Sequence, residues 1–381
     1  MKYFDYAATA PINLEVVNNV LKKYGQNAFG NPSSTHYTGQ EAKTLLEQAR
    51  KNIAEILKCK SSNIIFTSGG SESDNMALKG IMLKYKPQKA ELITTTIEHP
   101  AILNTCKELE KLGYKIHYVK PRFNGVVIKS DIEKYINKKT KLISVMAVNN
   151  EVGTIQFVNE IGYLAHKYDI LFHSDFVQGV GVVNIDLENI DLASFSAHKF
   201  GGLKGTGFLF KSDEVQSLEP LVAGGGQEFN FRSGTENVFG NLIMAECLKE
   251  TVKKWKENKE EIEELRNSLY NDLKEIYREK LRINGSKFIR IPNNLNISFK
   301  DIDSRTLQLL LSNEGFEVSV GSACHSKSEE VSYVLENVNV PLDFINGSIR
   351  ITLPPDTTKY DILALEKCII KSVDYLYRIG D

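Results

Sequence analysis

The stretch NIIFTSGGSESDNMALKG, residues 63–80, puts a short Ile- and Phe-rich run directly before two glycines and a segment with helical apolar spacing. Read locally, a strand ends at Thr67 or Ser68, a turn passes through Gly69 and Gly70, and a helix begins near Ser71. Glycines at a helix start let backbone N–H groups approach an anion closely, and Ser71 can cap the helix or lend its hydroxyl. An ordinary strand-to-helix turn has the same look. No Lys-Ser/Thr pair follows, so this is not the phosphate loop of nucleotide hydrolases.

The same alternation extends outward. Strands are expected at 63–68, 90–96, 114–119, 141–148, 169–175, 191–197 and 205–211, and helices at 71–84, 100–112, 130–137 and 159–167. Ile-, Val- and Phe-rich strands separated by helices predict an α/β fold, its mostly parallel sheet covered on both faces. Two helices precede it, near 13–24 and 39–58. A long helical region dense in Lys and Glu occupies 238–280, its charges at the spacing of a solvated face laced with weak ion pairs. Strands at 295–299 and 347–353, with helices near 303–314 and 359–378, read as a smaller α+β domain. The expected division is a large domain over 15–250, with 1–14 and 251–381 forming the smaller one.

Composition narrows the function classes. Among 381 residues, Lys plus Arg number 47 and Asp plus Glu 48, a formal net charge of -1 that gives no support to direct nucleic-acid binding. The five cysteines, Cys59, Cys106, Cys247, Cys324 and Cys368, form no CxxC pair, so neither a disulfide framework nor a metal site is expected. His36 and His325 lack the HxxxH spacing of a metal site. The start MKYFDYAATA has no signal pattern, and no apolar run approaches the ~20 residues of a membrane helix, so a cytoplasmic location is expected.

Three further segments carry chemistry. In FSAHKFGGLKGTG, 195–207, Lys199 follows a strand beside His198, and an amine held in a crevice there can form a Schiff base with an aldehyde cofactor. In FHSDFVQG, 172–179, Asp175 closes a strand at the end where open α/β sheets bind ligands, with Gln178 just beyond. Pyridoxal phosphate needs this combination of a lysine, an acid for the pyridine nitrogen and a phosphate nest. In VGSACHSKS, 320–328, Cys324 sits among small and polar residues rather than apolar packing neighbours, a setting that leaves both a reactive thiol and an unreactive one open.

With these blocks the sequence resembles the cysteine desulfurases, in the class V aminotransferase branch of fold-type I pyridoxal-phosphate enzymes. The likeness also runs through YFDYAATA (3–10), FGNPSSTH (29–36), TTTIEHPAILNTCKELEKLG (94–113), MAVNNEVGTIQ (146–156), GGGQEFNFRSGTEN (224–237) and GSACHS (321–326). It implies a mostly parallel seven-stranded sheet and a residue-by-residue site. Lys199 would bind the cofactor aldehyde, His99 would stack on the pyridine ring and act as acid–base partner for the substrate thiol, and Asp175 would pair with the ring nitrogen. Gln178 and Asn150 would reach the phenolic oxygen, with Asn150 also near the substrate carboxylate. Gly70, Ser71, Ser196 and His198 would hold the phosphate, and Thr235 would reach the phosphate of the other subunit in a homodimer. Arg350 would bind the carboxylate of L-cysteine, and Cys324 would be the nucleophile that takes the sulfur as a persulfide, leaving L-alanine.

The likeness further implies delivery of sulfur to an acceptor protein such as an iron–sulfur scaffold. A transfer-RNA thiolation protein is the alternative acceptor. A selenocysteine lyase, another pyridoxal enzyme of this fold or a non-catalytic scaffold protein are the alternative functions. The tail by which housekeeping members recruit a scaffold is not expected after the last helix. The chain departs from the family pattern at Tyr6, Phe176, Gly201, Leu203 and His325, none of which removes a catalytic group.

Overall fold

The computed structural model describes residues 1–320 and 331–380. In chain order, β1 (Lys2–Tyr3), α1 (Leu14–Tyr24) and α2 (Tyr37–Leu57) lead into β2 (Ile64–Thr67), α3 (Gly70–Met82), β3 (Glu91–Thr95), α4 (Pro100–Lys111) and β4 (Lys115–Val119). Then come α5 (Lys129–Glu133), β5 (Thr140–Ser144), α6 (Val158–Lys167), β6 (Leu171–Asp175), β7 (Leu192–Ser196), β8 (Gly207–Lys211) and α7 (Val238–Tyr277). The chain ends with β9 (Leu281–Ile283), β10 (Asn294–Phe299), α8 (Ser304–Asn313), β11 (Phe316–Glu317), α9 (Tyr333–Asn337), α10 (Leu342–Ile345), β12 (Ser348–Thr352) and α11 (Lys359–Gly380).

The central sheet runs β2-β8-β7-β6-β5-β3-β4. Its strands are parallel except β8, which lies antiparallel to both β2 and β7. All seven strand segments expected from sequence are present. Neighbouring residues feed opposite faces of the sheet: Ile65, Leu92, Leu142 and Leu192 pack with Met76, Ile81, Ile102 and Leu109 of α3 and α4. Ile64, Ile93, Ile143 and Ala193 join the core that α2, α6 and α7 build on the other side. Burial on both faces is why these strands read as continuous apolar runs rather than as alternating ones.

The smaller sheet is β12-β10-β9, antiparallel throughout. A parallel pair, β1 with β11, ties the N-terminus to the region just ahead of residue 321. Residue 250, the expected boundary, lies inside α7, which passes unbroken from one group of elements to the other. Helix α5 is shorter than the expected 130–137, because Asn137 turns the chain: its N–H donates to Thr140 Oγ1 at 3.0 Å and its carbonyl accepts from Thr140 N–H at 3.0 Å. Strands β1, β9 and β11 were not expected; two or three residues are too few to show a period.

Candidate active site

Strands β3, β5, β6 and β7 lie side by side and point the same way, so the turns beyond them open onto one crevice, where open α/β sheets bind ligands. Asp175 is the last residue of β6 and is buried; its carboxylate accepts the N–H of Val177 at 2.8 Å. Burial pushes this carboxyl above the ordinary range, while the nearby Lys199 charge pulls it back. Lys199 ends the short turn Ala197–Lys199 after β7. Its Nζ donates to the carbonyls of Ala7 and Ala8 at 2.7 and 2.8 Å, and Gln178 Nε2 donates to the same Ala7 carbonyl at 2.9 Å. The N-terminal segment thus aligns the lysine and the glutamine through backbone oxygens, which carry no side-chain signature.

His99 caps α4, its Nδ1 accepting the N–H of Ala101 at 3.1 Å. That bond leaves the proton of the neutral ring on Nε2. Burial, reinforced by Lys199, lowers its pKa to about 4, so the ring is neutral at pH 7 and presents a donor. His198 is lowered to about 4 as well, first by burial and then by Lys199, Lys204 and His99.

Gly69, Gly70, Ser71, Ser196 and His198 line one cleft, together with Ala8, Thr9, Ser68, Glu72, Lys204 and Gly205. Helix α3 opens on it with no side chain capping its first N–H groups, because Gly69 stands at the cap with φ 150. A Cβ on Gly70 would come within 2.7 Å of Val177 Cγ2, so the helix start is pressed against the Asp175 turn. Thr67 Oγ1 and Ser73 Oγ, 2.8 Å apart, brace the turn from beneath. Thr9 and Lys204 were missed; Thr9 Oγ1 bonds His198 Nδ1 at 3.1 Å, and Lys204 adds positive charge beside the nest. The only hint of Lys204 in sequence is its place between glycines.

Arg350 on β12 is brought to Asn150 from the far end of the chain: Nη1 donates to the Asn150 carbonyl at 2.9 Å. Nη2 donates to Asp5 Oδ1 at 2.6 Å, a partner the sequence did not reveal, and Nε is buried without a partner. Asn150 Oδ1 is likewise buried and unpartnered. Such orphans are costly in a finished core.

Behind the crevice lies a polar layer that sequence reading missed. Glu98, fully buried, accepts the hydroxyl of Thr95 at 2.7 Å and the N–H of Met146 at 3.1 Å; burial raises its pKa to about 8. Asp74 is also buried and raised, by burial and then by Asp175. His173 bonds Ser144 Oγ at 2.9 Å and Ser194 Oγ at 3.0 Å, with Asp74 Oδ1 3.6 Å from its Nε2. Burial holds it neutral, with a pKa of about 3.

Cys324 and His325 lie outside the described residues. Thr235 is exposed, ahead of α7, and does not line the anion cleft of its own subunit. Of the departures, Phe176 turns into the core and stacks at 5.7 Å on Phe195, away from the crevice. Gly201 has φ 80, a conformation side chains resist, and its carbonyl accepts the N–H of Asn13. Leu203 packs against the core, its carbonyl accepting the Thr206 hydroxyl at 2.7 Å. Tyr6 stands 5.8 Å from Tyr3, ring centre to ring centre.

Residues 2–365 match the family model described as aminotransferase class-V. The chain is 43% identical over 362 residues to "Cysteine desulfurase IscS" of Dictyoglomus turgidum, covering 94% of this chain and 91% of that protein. The solved structure named "NIFS-LIKE PROTEIN" superposes with a TM-score of 0.90 at 36% identity, covering 98% of this chain and 100% of the other. The structure described as "SspA in complex with cysteine" gives a TM-score of 0.82 at 33% identity, covering 94% and 100% respectively.

Proposed function

We propose that this chain, which belongs to the class-V aminotransferase family and within it to the cysteine desulfurases, takes sulfur from L-cysteine as a persulfide on Cys324 and releases L-alanine. The observation that carries this reading is the convergence of Lys199, buried Asp175 and the glycine-opened start of α3 at one crevice, with Asn150 Oδ1 buried and unpartnered there. The relative named for desulfurase activity and the neighbouring structure named with cysteine support the substrate.

These residues fit pyridoxal phosphate. Gly70, Ser71, Ser196 and His198 would hold the phosphate, with Thr235 of a second subunit completing it in a homodimer. Lys199 would bind the aldehyde carbon, and Asp175 would keep the ring nitrogen protonated. Gln178 and Asn150 would meet the phenolic oxygen, while His99 would lie over the ring. When bound, the group supplies an electron sink for the substrate α-carbon.

The protein's own part is positioning and proton transfer. Arg350 would hold the substrate carboxylate through its fork, beside Asn150. Lys199 Nζ would take and return the α-proton. His99 is neutral with its proton on Nε2 and would offer that proton to the substrate thiol. The Cys324 thiolate would attack the substrate sulfur: a new S–S bond forms, the Cβ–Sγ bond breaks, and its electron pair goes to Cβ, which a proton then completes as the methyl of alanine. The persulfide sulfur would pass to a thiol of an acceptor protein, most directly an iron–sulfur scaffold.

No described helix is long and apolar enough to cross a membrane, and a cytoplasmic location is part of the same reading. The test is to incubate the pyridoxal-phosphate-loaded protein with L-cysteine and a thiol reductant. Alanine and sulfide should appear in equal amounts. Turnover of cysteine without alanine would refute it.

A further inference from the structure

Strand β2 is an outer strand of the central sheet, so the outward carbonyl of Ile64 and N–H of Phe66 face no neighbouring strand. An ion pair lies along that edge instead. Arg50 of α2 donates from Nη1 to the Ile64 carbonyl at 2.6 Å, and from Nη1 and Nη2 to the two carboxylate oxygens of Glu228 at 2.8 and 2.9 Å. Glu228 Oε2 in turn accepts the N–H of Phe66 at 2.8 Å. Both residues are buried, and the guanidinium is sandwiched between the rings of Phe66 and Phe229, 4.5 and 4.9 Å from their centres.

Glu228, Phe229 and Asn230 have φ of 45, 59 and 67, three successive side-chain-bearing residues in the left-handed region. L-residues hold such a run only where their surroundings impose it. A second pair follows: Arg232 Nε donates to Glu72 Oε1 at 2.9 Å, and Glu72 Oε2 accepts the N–H of Ser68 at 2.8 Å. The segment 228–232 therefore holds Phe66 directly through Glu228 and Ser68 indirectly, Arg232 fixing the Glu72 carboxylate that accepts the Ser68 N–H, immediately before Gly69 and Gly70.

We infer that the Arg50–Glu228 and Glu72–Arg232 pairs form a two-point clamp that positions the phosphate nest at the start of α3; Arg50, Glu228 and Arg232 stand outside the cleft lining, and Glu72 lies on its wall. A buried ion pair adds little stability over an apolar plug of the same shape, whereas its forked geometry fixes direction. The clamp rests on the cofactor reading proposed above.

The apo-protein is titrated with pyridoxal phosphate and, separately, with pyridoxal, which lacks the phosphate, by visible absorbance; thermal unfolding of each variant checks folding. The parent should favour the phosphorylated ligand strongly. In Glu228→Ala and Arg232→Ala that preference should fall by about tenfold, the scale of a lost hydrogen bond at a charged site, with pyridoxal affinity nearly unchanged. Glu228→Gln, which keeps an acceptor for the Phe66 N–H, should fall less. If Glu228→Ala does not fold, Arg232→Ala decides, because its pair is partly exposed. An unchanged preference in Arg232→Ala, or an equal loss for both ligands, overturns the clamp. A parent that binds the two ligands equally overturns the cofactor reading and the clamp with it.

Discussion

The Asp5 carboxylate lies 2.6 Å from the Arg350 guanidinium, so the cation expected to receive the substrate carboxylate is already paired with an anion from the N-terminal segment. The Arg350 side chain is almost fully buried, and Asp5 is only slightly more exposed. At this short range in a poorly solvated site, an incoming carboxylate meets the repulsion of Asp5 as well as the attraction of the fork.

Asp5→Asn keeps an acceptor for Arg350 and removes the charge. The KM for L-cysteine is expected to fall by roughly three- to tenfold, the scale of one weakened charge interaction, with kcat changed less. Steady-state alanine production over a range of cysteine concentrations reads it. A raised KM would mean that Asp5 serves only to orient the arginine.

Lys199→Ala removes the amine that the Ala7 and Ala8 carbonyls hold beside Asp175. The variant mixed with pyridoxal phosphate should lack the visible absorbance of a lysine-bound cofactor and make no alanine. Retention of the absorbance would sink the assignment.

Cys324→Ala should lower sulfide release by at least about a hundredfold, since removing a nucleophile disables the whole relay. Pyridoxal phosphate should still bind with parental affinity. Sulfide formed at the parental rate would contradict the persulfide route.

Thr235→Ala should weaken pyridoxal phosphate binding by about 1.5–3 kcal/mol, the cost of a lost hydrogen bond to a charged group, or roughly 10- to 100-fold. Sedimentation should still show a dimer. Full affinity in a monomer would refute the shared site.

His173 gives a pH dependence with a definite sign. Folded, it refuses a proton down to about pH 3; unfolded, it takes one near its ordinary value of 6.5. Between those values the unfolded chain binds more protons, so stability falls as pH falls from about 6.5 toward 3. His173→Asn should reduce the slope of apo-protein stability over pH 6.5 to 4 by up to about 1.4 kcal/mol per pH unit, one proton's worth. Denaturant unfolding at several pH values measures it; an unchanged slope would show that His173 is not the group responsible.

Much of the site was legible because its residues sit at strand ends. Asp175 closes a strand, Lys199 follows another, and Gly69 and Gly70 interrupt the passage from strand to helix, so local pattern placed all three at strand ends. The partners that govern them were not legible. Ala7 and Ala8 act through carbonyls, which every residue has, and Asp5 meets Arg350 across 345 positions of sequence. Glu98 and Asp74 read as ordinary polar residues, and only packing reveals that they are buried beside Asp175.

The sequence by itself determined the seven central strands and the long helices. Those features follow from the hydrophobic period and from steric rules at glycine, which act over a few residues. Only the tertiary structure decided that β8 runs antiparallel among parallel strands and that an Arg50–Glu228 pair occupies the outer edge of β2. Each depends on which distant segments come together, and the free energy of such contacts comes from burial and pairing that no local pattern records.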